Sequence, residues 1–181
     1  MRFSLCNEVL APMAFERQCA FAATLGYAGL EIAPFTLAET PQAVTPAQRA
    51  DIRRAAQDAG IAVSGLHWLL AKPDGLSITS SDATVRDRTI TQMHRQIDLC
   101  ADLGGSVLVH GSPAQRRIDD ADPTGARQRG IDAFASVAEH AQQAGVIYCI
   151  EPLAPPGANF VVTVAQAVEI VAVLGQLEGF D

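Results

Sequence analysis

Five times along the chain, a short run of strand-forming residues gives way to a longer stretch with helical spacing. This alternation limits the fold more than any other feature. The strand-like runs fall at 2–6, 29–33, 61–67, 106–110 and 146–150. The last is the clearest: Gly145 opens it, Val146 and Ile150 bracket an apolar core, and it stops on Glu151 and Pro152. A continuous apolar run suits a parallel strand covered on both faces. Pro152 ends the ladder because it has no N–H to donate.

Between these runs lie helical patterns. The first spans 12–25 and stops at Gly26; the second starts at Thr45, with Pro46 at the first helical position, and reaches Gly60. Ser81 or Asp82 can cap a third, which ends at Gly104 and Gly105. A fourth covers about 124–143, and Thr163 caps a last one through Val164, Val168, Val171 and Leu174. Alternating strand and helix implies a parallel sheet. No glycine-rich phosphate turn follows the first strand, where Cys6, Asn7 and Glu8 stand instead, so a dinucleotide fold is disfavoured. The remaining common solution is a (β/α)8 barrel of the TIM type, which takes about 250 residues. With 181 residues the chain holds only about five units. The expectation is therefore one α/β domain over 1–181, a partial barrel three units short at its C-terminal side.

Such a barrel carries its chemistry at the C-terminal ends of its strands. The polar residues there are Asn7 and Glu8, Glu31, His67, His110 and Glu151. Converging imidazoles and carboxylates suit Zn²⁺, Mn²⁺, Co²⁺ or Fe²⁺ better than Ca²⁺. Each residue also has a plainer reading. His67, between Leu66 and Trp68, could be a satisfied core histidine; Glu31 could belong to a structural ion pair; Glu151 could cap a loop. His94 and His140 sit on helices at exposed-looking positions. Arg116, Arg117, Asp119, Asp120 and Asp122 form a mixed charge run, read as a solvated loop or a lid over the cleft.

A formal charge of −7 argues against a nucleic-acid surface, since phosphate binding needs a basic face. No apolar run is long enough to span a membrane, and residues 1–5 lack the apolar segment of a signal peptide. Cys6, Cys19, Cys100 and Cys149 are widely spaced without a C-x-x-C pair, which points to reduced thiols and a cytoplasmic setting.

Three stretches carry a resemblance: 4–10 (Ser-Leu-Cys-Asn-Glu-Val-Leu), 29–35 (Gly-Leu-Glu-Ile-Ala-Pro-Phe), and 150–153 (Ile-Glu-Pro-Leu) followed by Asn159 and Phe160. Together they resemble the sugar phosphate isomerase/epimerase family of the xylose isomerase-like TIM-barrel superfamily. The resemblance implies a metal-dependent isomerase or epimerase of a sugar, sugar phosphate or small hydroxy-ketone. Such an enzyme removes a proton next to a carbonyl and holds the resulting charge as an enediolate. It also implies that Glu151 is both catalytic base and metal ligand. Asn7, Glu31, His67 and His110 would contact substrate, with His67 and His110 as further candidate ligands. The implied cofactor is Mn²⁺, Mg²⁺, Co²⁺ or Zn²⁺, and the partner a small sugar, with homo-oligomer formation left open. The family draws an aspartate, a histidine and a second glutamate from strands 6 to 8, beyond Asp181. Two alternatives stand beside this reading. One is a dehydratase or lyase on the same metal site; the other is a truncated, non-catalytic subunit. An endonuclease is disfavoured by the acidic charge.

Overall fold

A computed structural model describes residues 1–118 and 121–175. Among these, strand and helix alternate five times: β1 (Ser4–Cys6), α1 (Phe15–Thr24), β2 (Gly29–Ile32), α2 (Pro46–Asp58), β3 (Ala62–Leu66), α3 (Ala83–Asp102), β4 (Val107–His110), α4 (Pro123–Gln143), β5 (Ile147–Ile150) and α5 (Val164–Leu174). The five strands form one parallel sheet in sequence order, β1-β2-β3-β4-β5. Each of α1 to α4 returns the chain to the start of the next strand, as parallel pairing demands. The result is an arc of a barrel, as the alternation predicts.

Local chemistry explains where the helices begin. Thr45 and Gln48 form a reciprocal capping box, with Pro46 inside it. Asp82 accepts a hydrogen bond from the Thr84 N–H at 2.8 Å, Asp122 caps α4 through Gly125, and Thr163 caps α5 through Gln166. The first helix starts at Phe15, three residues later than the pattern suggests, because Met13 still closes a turn on Leu10 and Ala14 supplies the first helical carbonyl. Gly60 ends α2 at φ +71°, a left-handed conformation that costs glycine nothing.

The strands set up two faces. Leu30, Ile32, Val63, Leu66 and Leu108 are buried with Ile52, Ala56, Met93, Ile97, Phe134 and Val137 of the helices, forming one hydrophobic core. The opposite face is the inner side of the arc. One level of it runs Cys6, Glu31, Gly65, Val107, Ile147 across the pairing register. Val107 and Cys149 remain partly exposed there, and Ile147 is 64% exposed. The four cysteines are free thiols, and no helix among the described residues is long and apolar enough to cross a membrane.

At Gly65 the neighbouring strand comes so close that a methyl group would collide with the Val107 carbonyl oxygen. Backbone on both sides cannot yield as a side chain would. Gly65→Ala should therefore destabilise the chain by about 1–3 kcal/mol, the usual cost of overpacking. The urea midpoint reads this, and an unshifted midpoint would show that β3 and β4 can separate freely.

Candidate active site

Chain direction places the C-terminal ends of all five strands at one rim, and residue alternation decides which side chains face the arc's interior. Cys6 and Glu31 lie side by side in register, and the Cys6 thiol donates to Glu31 Oε2 at 3.7 Å. One step further on, His67 follows β3, and its Nε2 lies 2.9 Å from Glu8 Oε2. Its Nδ1 lies 3.9 Å from Glu31 Oε2 and is buried without a hydrogen-bond partner among the described residues. Cys6, Glu31 and His67 offer three donor atoms, all within 4.8 Å of one another. Burial first, then the charges of Glu8 and Glu31, pushes the Cys6 thiol up to about 11.

Glu151 continues the β5 pairing, its N–H donating to the His110 carbonyl at 3.2 Å. The side chain is exposed, and its carboxylate fills the space above Gly111 that a side chain at 111 would occupy. It accepts no hydrogen bond among the described residues. Its charge is felt at the Cys6 thiol, and that of Glu31 at the Cys149 thiol. Both strand ends thus share one basin of carboxylates. Glu151, with free oxygen lone pairs, and the Cys6–Glu31–His67 group are the places where a cation could be held.

Three expected residues sit differently from the sequence reading. Asn7 is only 1% exposed, and its amide is spent inside the protein. The carbonyl accepts from Ala33 N–H at 2.8 Å, while the NH₂ donates to Thr36 Oγ1 at 2.8 Å and Gln18 Oε1 at 3.3 Å. That network fixes the turn carrying Glu8. His110 points outward into the helix layer, edge-on to Phe134 of α4, with Nδ1 2.8 Å from the Tyr148 hydroxyl. It is fully buried, so neither ring nitrogen reaches the basin. Burial, helped by the nearby Arg116 charge, lowers its pKa to about 3, and the ring stays neutral.

Arg116 departs furthest. Within a run that reads as solvated, it is completely buried, donating through Nη1 to the His110 carbonyl at 3.4 Å. Its Nε and Nη2 have no hydrogen-bond partner among the described residues, and the Glu151 carboxylate is its nearest counter-charge in effect. Asp119 and Asp120 of the same run lie outside the described residues. His94 and His140 meet edge-on at 4.9 Å between α3 and α4, with His140 Nε2 2.7 Å from Asp98, away from the basin.

Two residues of the site receive no role from the sequence. Glu8 is among the tip residues, and its contact with His67 is what singles it out. Trp68 follows His67 with φ +52°, an uncommon conformation for a bulky residue, and is 47% exposed. With Phe35, Ala71 and Lys72 it lines a shallow cavity of about 250 Å³ beside the rim. A larger apolar cavity of about 430 Å³ lies between α4, α5 and β5, lined by Phe134, Tyr148, Ile150 and Val171, with no carboxylate, imidazole or cationic side chain in its lining.

Against this geometry stand the comparisons. A family model described as the xylose isomerase-like TIM barrel matches residues 19–178. No curated protein matches the chain. Among solved structures, the fold is similar to a D-psicose 3-epimerase determined in the presence of D-fructose, at 22% identity and TM-score 0.80, over 98% of this chain and 61% of that one. A D-psicose 3-epimerase with D-tagatose from Clostridium cellulolyticum H10 matches at 19% identity and TM-score 0.79, over 96% and 60%. A 3-keto-D-glucoside 4-epimerase from E. coli matches at 17% and 0.76, over 96% and 64%. The chain spans about three fifths of the length of these structures, and at such identities the likeness is one of fold.

The buried neutral His110 sets a pH dependence. In the unfolded chain it takes up a proton near its ordinary value of 6.5, whereas the folded chain refuses one until about 3. Between these values the unfolded state binds more protons. The His110 contribution is therefore present above 6.5 and lost as pH falls toward 3, at no more than about 1.4 kcal/mol per pH unit. Urea midpoints measured from pH 7 to 4 should drop less steeply in His110→Gln than in the wild type. Equal slopes would place the acid sensitivity elsewhere.

Proposed function

Because the chain belongs to the xylose isomerase-like TIM barrel family, we propose that it supplies the N-terminal part of a ketose isomerase or epimerase site, with Glu151 as the base. The observation that carries this is the Glu151 carboxylate. It sits at a strand end on the inner face, exposed, free of hydrogen bonds among the described residues, and lodged over a glycine that leaves room for it. A carboxylate so placed can take the proton from a carbon next to a carbonyl, provided a substrate carbon lies within hydrogen-bond reach. The epimerases of similar fold supply the substrate class: a ketose or keto-sugar.

Each neighbour then has a task. Arg116, buried behind the strand end, puts positive charge near the Glu151 carboxylate. Glu31 and His67 line the other side of the basin and offer polar contacts to sugar hydroxyls. Asn7 through its side-chain amide and His110 through its backbone carbonyl fix the β1 and β4 ends on which Glu8 and Glu151 depend. Trp68 and Phe35 present apolar rings beside the rim, suited to the C–H face of a sugar. The oxygen donors of Glu151 also fit a divalent cation, Mn²⁺, Mg²⁺, Co²⁺ or Zn²⁺. When bound, such an ion supplies positive charge to the carbonyl side of the substrate.

A second reading rests on a different observation. Ile147 on β5 and Val164, Val168 and Val171 on α5 leave an exposed apolar edge, 56–70% accessible at each residue. That favours a subunit whose β5 side is covered by further βα units, whether or not the chain is catalytic. The native mass of the protein from its source tests this second reading: a mass well above 19.1 kDa supports further βα units against β5.

The catalytic reading is tested by incubating the native protein with ketohexoses in D₂O and following deuterium at the carbon beside the carbonyl. Glu151→Gln should slow exchange by about 10²–10⁴-fold, the usual worth of a general base, with the circular dichroism spectrum unchanged. Wild-type exchange in that variant would sink the assignment. Trp68→Ala should raise KM for the ketose while leaving kcat within a few-fold; a fall confined to kcat would remove Trp68 from substrate binding.

A further inference from the structure

We propose that Cys6, Glu31 and His67 form a zinc site at the β1–β3 end of the basin, distinct from any cation at Glu151. Its donor set is one thiol, one carboxylate and one imidazole, each from a different strand end. Sulfur and nitrogen donors together select Zn²⁺, or Co²⁺ in its place, over Mg²⁺ and Ca²⁺.

The distances fit this ion. Zinc bonds of about 2.3 Å to sulfur and about 2.0–2.1 Å to nitrogen or oxygen, at tetrahedral angles, separate the donors by about 3.3–3.6 Å. Cys6 Sγ lies 3.7 Å from Glu31 Oε2, and His67 Nδ1 lies 3.9 Å from the same oxygen. The third pair, Cys6 and His67, is within 4.8 Å and is the one that has to close.

A second observation points to a ligand independently of that spacing. His67 is 8% exposed, yet its Nδ1 is buried with no hydrogen-bond partner among the described residues. Its other nitrogen is held 2.9 Å from Glu8 Oε2, which leaves Nδ1 as the nitrogen turned toward Glu31. Two carboxylates and a thiol crowd around one imidazole, an arrangement a cation resolves. A histidine that donates to a carboxylate with one nitrogen and turns the other to the metal is how zinc-bound imidazoles are oriented. Glu8 is thus the outer partner of the site. Binding replaces the thiol proton, which passes to solvent, and no electron changes hands. Cys6 and Glu31 are partly exposed, so the fourth position opens toward the basin and can take water or an oxygen of the substrate.

The test needs no turnover. The native protein, freed of metal by chelation, is titrated with Co²⁺ and read by absorption, then with Zn²⁺ against a chromophoric chelator. A thiolate-to-cobalt charge-transfer band is expected in the wild type and in Cys149→Ser. It should be lost in Cys6→Ser and weakened in Glu31→Gln, with the fold of each checked by circular dichroism. Glu8→Ala, which touches no metal, should weaken Zn²⁺ binding by about 10–100-fold. Glu151→Gln should keep the band. The proposal is overturned if the wild type shows no band, if the band survives in Cys6→Ser, or if it disappears in Cys149→Ser. Loss in Glu151→Gln would merge the two sites into one and overturn it as well. None of these results bears on proton exchange by Glu151, so the two readings fail separately.

Discussion

Two neighbouring parallel strands can be joined only by a segment that carries the chain back along their whole length. In this protein a helix does so after every strand, and everything else follows from that return. The helices cover one face of the sheet and bury Leu30, Ile32, Leu66 and Leu108 against it. All five strands then end at the same rim. Charged groups gather there because the rim is where the chain leaves the apolar layers.

The rim is held by polar groups that never face the basin. Asn7 spends its whole amide on Ala33, Thr36 and Gln18, tying the β1 end to the β2 end. Arg116 lies under the β4 end against the His110 carbonyl, with His110 itself locked between Phe134 and Tyr148. Burying a guanidinium costs several kcal/mol unless charge and hydrogen bonds offset it. Within the described residues the only hydrogen bond of this guanidinium is to the His110 carbonyl, and the Glu151 charge acts on it from nearby. The same low-dielectric setting keeps His110 neutral.

Much of this was legible in the residues. The caps at Thr45, Asp82 and Thr163, the closing glycines and the strand runs gave five units in the right order, with strand ends within one residue of their places. The rim position of Glu31, His67 and Glu151 followed from chain direction alone. What position along a strand does not convey is which way a side chain points. His110 and Glu151 are both tip residues, yet adjacent register positions put one in the helix layer and the other over Gly111. Period-two alternation carried that signal, since His110 shares its parity with the buried Leu108.

Sequence by itself determined the order of elements and the rim, because these depend on local propensity and on chemistry read one residue at a time; the family came from the resemblance of three stretches. Tertiary structure decided which polar residues face the inner side of the arc and which are buried in its support. Arg116 looks solvated in its charged run and is fully buried; Glu8 reads as one tip residue among several and is the partner of His67. Both outcomes rest on contacts between segments far apart in the chain, where burial and a single carboxylate oxygen set the state of a side chain that its sequence neighbours cannot.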